Sequence, residues 1–150
     1  MSDADLFKLY SQRILALAAD IPRTDPLPGA THHATRRAPL CGSTVTVALE
    51  LAEGRISGFS QQVHACALGQ ASAAIFGAQV IGRTAEEVAT LRDQLATMLK
   101  GGPVPGAPFG DYEVLTAARD YPNRHASILL APEATLEALR GGALRGNGVN

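Results

Sequence analysis

The stretch that most narrows what this chain can fold into runs from Leu40-Cys41-Gly42-Ser43 to Cys66-Ala67-Leu68-Gly69-Gln70-Ala71-Ser72. Between its ends, Val45, Val47, Leu49 and Leu51 alternate with Thr44, Thr46, Ala48 and Glu50, the period-two pattern of a half-buried strand. Glu53-Gly54 supplies a hairpin turn, and Arg55 to His64 reads as the returning strand, in which Gly58 weakens the pattern or marks a bulge. After Cys66 the period becomes helical: Leu68, Ala71, Ala74, Ile75, Ala78 and Ile81 line one face. Small Gly69, Ser72, Ala73 and Gly77 allow close packing on the sheet. An antiparallel hairpin returns the chain to its starting end, so Cys41 and Cys66, its two cysteines, finish at the same end of the sheet.

Cys41 precedes a glycine, where backbone can approach an ion closely, and Cys66 stands near a helix N-terminus, whose partial positive charge favours thiolate. Two such thiolates suit a soft metal: zinc, copper(I) or an iron–sulfur cluster. The spacing alone equally suits two small buried apolar side chains.

The flanking chain reads as mostly helical. Leu6, Tyr10, Ile14, Leu17 and Ala18 mark an amphipathic helix over residues 3–20, ended by Pro22. Residues 25–37 carry turn-forming and polar side chains without apolar alternation and are expected to form a mobile loop leading to Cys41. Thr84-Ala85-Glu86-Glu87 is a capping-box signature opening a helix that carries Val88, Leu91, Leu95, Met98 and Leu99 to Lys100. A glycine- and proline-rich loop over 101–110 follows, then a short helix holding Val114, Leu115 and Ala118. A helix carrying His125 and Ile128 to Leu130 comes next, and Pro132 is expected at the first turn of a separate last helix with Leu136 and Leu139 buried. Residues 1–140 are expected to form one domain and 141–150 a frayed tail.

With 150 residues, 18% charged and a formal net charge of -1, the chain has a globular composition that gives no electrostatic argument for nucleic acid or an anionic membrane. No apolar run approaches the roughly 20 residues that span a bilayer, and an acidic N-terminus argues for a cytoplasmic protein whose cysteines are free thiols or ligands.

Three segments together carry a resemblance: Leu40-Cys41-Gly42-Ser43, Ala65-Cys66-Ala67-Leu68-Gly69-Gln70-Ala71-Ser72-Ala73, and Arg124-His125-Ala126-Ser127-Ile128-Leu129-Leu130. Over approximately residues 5–140 the chain resembles the IscU, SufU and NifU N-terminal family of iron–sulfur cluster assembly scaffolds. The resemblance implies an α+β fold, a small three-stranded antiparallel sheet with helices packed on one face. It also implies a scaffold or carrier rather than a catalyst. Such a scaffold takes sulfur from a cysteine desulfurase, gathers iron, and passes a labile cluster, of the [2Fe–2S] kind, to recipient apo-proteins; zinc occupies the same site in some members.

Cys41 and Cys66 match the first two family cysteines. Ser43 stands where the family usually has aspartate. The third cysteine is missing: in one register Ser127 takes its place, and in the other Ala126 does, with His125 matching the family's histidine. The candidate ligand set is therefore Cys41, Cys66 and His125, short of the four donors that zinc or a [2Fe–2S] cluster wants. An outside thiol, water or a second subunit of a homo-oligomer would complete it, and His32, His33 or His64 offers a further imidazole. As a ligand, His125 needs its other ring nitrogen held by a partner that the sequence does not identify; as a non-ligand it would favour a neighbouring thiolate. Two alternatives to the scaffold remain: a persulfide acceptor or desulfurase-activating partner without a stable cluster, and a Cys–His enzyme, for which no orienting Asn or Asp stands out.

Overall fold

The structure, a computed structural model, describes residues 3–39 and 42–142, with side chains from Ser11 onward. The residues that alternate from Thr44 form a strand, and Glu53 and Gly54, both left-handed (φ 55° and 79°), turn it back in the geometry that matches strand twist. Taking the elements in order, α1 is Asp3–Ala18, β1 His32–Arg37, β2 Thr44–Ala52, β3 Arg55–His64, α2 Ala67–Gln79, α3 Ala85–Leu99 and α4 His125–Glu137. The strands form one antiparallel sheet in the order β1-β2-β3, with Arg37 beside Thr44 and Thr44 beside His64. The expected α+β architecture of a three-stranded antiparallel sheet with packed helices is the one observed.

Three readings of the sequence differ from the structure, two of them in the sheet. Residues 32–37, expected within a mobile loop, are β1. Only Ala34 of that strand is buried, so it has no apolar alternation of its own; β2 recruits it as an edge strand through backbone pairing, Ala34 opposite Val47. The segment before it is strapped down as well: Ser60 Oγ donates to Asp25 O at 2.6 Å, Gln61 N to Arg23 O at 2.9 Å and Arg23 Nε to Gly77 O at 2.8 Å. Leu51, expected on the core face, is 37% exposed, because the register slips between Glu50 and Leu51 just before the turn.

Helices cover one face of the sheet, α4 over β1 and β2 and α2 against β3, with α1 packed on α2 and α3 on α4. Between them lie Val45, Val47, Leu49, Ile56 and Phe59 from the sheet, with Phe76, Leu91, Leu95, Met98 and Ile128 from the helices. Phe59 meets Phe76 edge-on at 5.9 Å, and Phe76 stacks on Phe109 at 6.0 Å. The capping box opens α3 as written in the sequence: Thr84 Oγ1 accepts from Glu87 N at 3.1 Å, and Thr84 N donates to Glu87 Oε1 at 2.9 Å.

Pro132 does not start a helix. It lies inside α4, where it has no N–H for the carbonyl of Ile128 one turn back. Ser72 of α2 takes the vacant role: its Oγ donates to Ile128 O at 2.6 Å. Tyr112, fully buried in the 3-10 segment Gly110–Asp120, donates its hydroxyl to Ser72 O at 3.0 Å and lies 3.0 Å from Ser72 Oγ. Burial lifts the Tyr112 phenol above its ordinary pKa, against the opposing hydrogen bond with Ser72, so it stays protonated and donating. This buried polar knot joins α2, α4 and the 3-10 segment next to the end of the sheet where β2 begins and β3 ends.

Candidate functional site

At that end, β3 stops at His64 and Cys66 becomes the N-cap residue of α2, in extended conformation with φ -66° and ψ 170°. Strand geometry therefore does not carry from His64 to Cys66, and His64 is an exposed residue of the sheet. Cys66 is partly exposed and unpaired, with its Sγ 3.6 Å from Ser127 Oγ. Ser127, buried in the first turn of α4, in turn donates to Ser43 Oγ at 3.2 Å. The structure thus joins three positions 84 residues apart at the extremes into one chain of small polar side chains.

Gly69 makes this approach possible. A Cβ built at Gly69 would run into Ser127 Oγ and the Ala65 side chain, so only glycine lets α4 bring Ser127 against the first turn of α2.

Ser127 has one proton to give. When Cys66 is a thiol, its S–H donates to Ser127 while Ser127 donates to Ser43; when Cys66 is a thiolate, the Ser127 hydroxyl turns to the sulfur. Burial pushes the Cys66 pKa up. The N–H of Gly69, the Ser127 hydroxyl, the N–H of Leu68 and the charge of Arg124 together outweigh it, and the thiol lies below its ordinary value. No close side-chain cap bond forms at Cys66, so the amides act on the sulfur chiefly through their dipoles.

The other expected ligands fall as follows. Cys41, the first candidate, lies outside the described residues. The ring nitrogen partner of His125 is a backbone group: Nε2 lies 2.8 Å from Ala118 O, and since a carbonyl only accepts, Nε2 carries a proton, which makes Nδ1 the lone-pair nitrogen of the neutral ring. His32 Nδ1 is held by the adjacent Thr31 hydroxyl at 2.8 Å, and His33 is exposed on β1. Among the described residues, no three His, Cys, Asp or Glu side chains gather as a metal-holding group. Of the two registers, the one placing Ser127 at the third-cysteine position is the one whose side chain reaches Cys66, whereas Ala126 packs against the core.

Beside Cys66 opens a largely apolar cleft of about 470 Å³ between Ile14 and Leu15 of α1, Leu68 of α2, and Ala118, Tyr121 and Arg124. Leu15 is 59% and Tyr121 45% exposed, so apolar surface flanks the thiol on its open side. Neither residue was singled out in the sequence. Leu15 falls outside the helix's apolar period, and Tyr121 reads only as the residue at which the His125 helix restarts.

No protein-family model matches the chain. Its fold is that of a NifU-like N-terminal protein from Brucella abortus, with 40% identity, a TM-score of 0.86, and coverage of 96% of this chain and 99% of that one. The iron–sulfur cluster assembly scaffold protein IscU of Thermotoga maritima is 26% identical over 136 residues, 90% of this chain and 96% of that protein. A putative scaffold for the SUF system from Fervidobacterium islandicum shares the fold at a TM-score of 0.78 and 23% identity, covering 88% and 97% of the two chains.

Proposed function

We propose, since the chain belongs to the IscU, SufU and NifU N-terminal family of iron–sulfur cluster assembly scaffolds, that it holds iron or a labile [2Fe–2S] cluster at the Cys66 corner and passes it on. The observation that carries this reading is the convergence of Cys66, Ser127 and Ser43 at the junction of sheet, α2 and α4, with the thiolate favoured at the start of α2. Cys66 and Cys41 are the thiolate donors, and His125, with Nδ1 free and Nε2 held by Ala118 O, is the imidazole donor. Ser127 supports the site through hydrogen bonding to the sulfur; its hydroxyl, protonated at neutral pH, is a poor metal ligand. A donor set this short holds its cargo loosely, which suits transfer, and zinc is the competing occupant.

The same corner supports the partners. A cysteine desulfurase delivering sulfur needs a partly exposed acceptor thiol beside apolar surface for docking, and Cys66 with Leu15 and Tyr121 has both. Recipient apo-proteins would use the same open side. No helix among the described residues is long and apolar enough to cross a membrane. The relatives are named as assembly scaffolds, which favours this reading over a persulfide acceptor that never holds a cluster.

The test is anaerobic reconstitution with iron and sulfide. The intact chain should develop a visible chromophore with stoichiometric iron and sulfide, and Cys41→Ser and Cys66→Ser should each abolish it. A colourless, iron-free product from the intact chain under those conditions refutes the proposal.

A further inference from the structure

At the other end of α4, roughly 15 Å from Ser127 at 1.5 Å per residue, is a polar cavity unrelated to the cysteines. It encloses about 270 Å³ between Arg36 of β1, Arg92 of α3, Glu133, Leu136 and Glu137 of α4, and Arg140 just beyond it. Arg36 bridges the two carboxylates, 3.7 Å from Glu133 and 3.3 Å from Glu137. The other two guanidiniums are not committed in this way. Arg92 makes one loose ion pair, 3.6 Å to its chain neighbour Asp93; its side chain is 37% exposed, but the Nε atom itself is covered and has no hydrogen-bond partner among the described residues. Arg140 makes no ion pair or hydrogen bond among them.

A buried guanidinium N–H without an acceptor is costly, and native structures rarely leave one unpaired. Here the orphan belongs to a side chain lining a cavity with one positive charge in excess. The missing partner is an acceptor with negative charge and more than one oxygen, since the forked faces of Arg92 and Arg140 match a tetrahedral oxyanion. Arg36 holds both glutamates on the β1 side and offsets one of their two charges, so the single positive excess rests on Arg92 and Arg140 together. The cavity volume limits the ligand to a free oxyanion or a small molecule bearing one.

We propose that the cavity between β1, α3 and the end of α4 binds a phosphate-class oxyanion on Arg92 and Arg140. This site is independent of the cluster reading: it uses neither cysteine, and its loss leaves the Cys66 corner intact.

The experiment titrates inorganic phosphate into the full chain at constant ionic strength, balanced with chloride, while NMR follows arginine Nε–Hε resonances. The Arg92 resonance, assigned by its disappearance in Arg92→Lys, should move downfield and saturate in the millimolar range. Arg140→Gln, a surface change that leaves the fold intact, should weaken binding about tenfold, the loss expected for one charge-assisted contact. Arg13→Gln on exposed α1 should leave it unchanged. Glycerol phosphate run in parallel identifies the source: tighter binding than inorganic phosphate assigns the site to a small phosphomonoester, weaker binding to the free anion. No saturation below about 10 mM, or an affinity unchanged in Arg140→Gln, overturns the proposal.

Discussion

Two small polar clusters lie next to each other on the same pair of helices and behave in opposite ways. In one, Ser72, Tyr112 and the Ile128 carbonyl share hydrogen bonds of 2.6 and 3.0 Å in complete burial. In the other, beginning six residues earlier on α2 and one residue earlier on α4, Cys66, Ser127 and Ser43 meet at 3.6 and 3.2 Å with the sulfur reaching solvent. The closed cluster has short bonds and a fixed donor order. The open one has longer contacts and a hydroxyl that can serve either neighbour. The difference teaches that the pocket is not loose because its helices are loose. The buried knot joins α2 to α4, and what the open cluster adds is a Ser127 hydroxyl that can serve either Cys66 or Ser43.

The largest break in that comparison comes from removing the sulfur. Cys66→Ala should leave the thermal midpoint within about 2 °C, since a partly exposed side chain contributes little packing, yet abolish the reconstituted chromophore completely. Adding sulfur should sharpen the contrast in the other direction. Ser127→Cys places a second thiol against Cys66 and should lengthen the lifetime of the bound cluster at least about tenfold, one thiolate ligand outweighing a hydrogen bond by more than ~1.4 kcal/mol, as read from the decay of visible absorbance under a chelator.

Opening the closed cluster is the next test. Ser72→Ala leaves the Ile128 carbonyl buried with neither the Pro132 N–H nor a hydroxyl and should cost about 1–3 kcal/mol in denaturant unfolding. Thr84→Ala, far from both clusters, serves as a measure of an ordinary local loss. It should cost about 1 kcal/mol with no change at the pocket.

The smallest effect is on the proton itself. Ser127→Ala removes one of the groups that lower the Cys66 pKa, so the pH midpoint for alkylation of Cys66, read by peptide mass spectrometry, should move upward. Because the folded pKa lies below the unfolded one, the thiolate stabilises the fold above the unfolded thiol's pKa. That contribution fades as pH falls through the folded value, and Ser127→Ala should narrow this window from below. An unchanged midpoint would mean that the hydroxyl does not serve the sulfur.

Some of this was readable in the chain and some was not, for reasons visible at particular residues. The β2–β3 hairpin and the start of α3 are local: alternation, a two-residue turn and a four-residue capping box each act within a short window. β1 is written only in its neighbour, since His32 to Arg37 become a strand by pairing with β2. Pro132 misled because the serine that excuses it is 60 positions away in the sequence. The register at the third cysteine position stayed open between Ala126 and Ser127 because matching Pro122 and Arg124 points to Ser127 and matching His125 points to Ala126, and only the contact with Cys66 separates them. Ala118 O, which holds His125, could not be found from side chains at all, being a backbone group.

The hydroxyl that replaces a proline's missing N–H also sets an order on how this sequence can drift. Restoring an amide at position 132 first, as in Pro132→Ala, gives the Ile128 carbonyl a second donor and makes Ser72 dispensable; losing Ser72 first strands that carbonyl. A double-mutant cycle over the two positions should therefore show Ser72→Ala costing less in the Pro132→Ala background than alone. Positions 72 and 132 are thus coupled through one carbonyl, and any sequence without the proline would leave residue 72 of α2 free to take another side chain beside the cluster pocket.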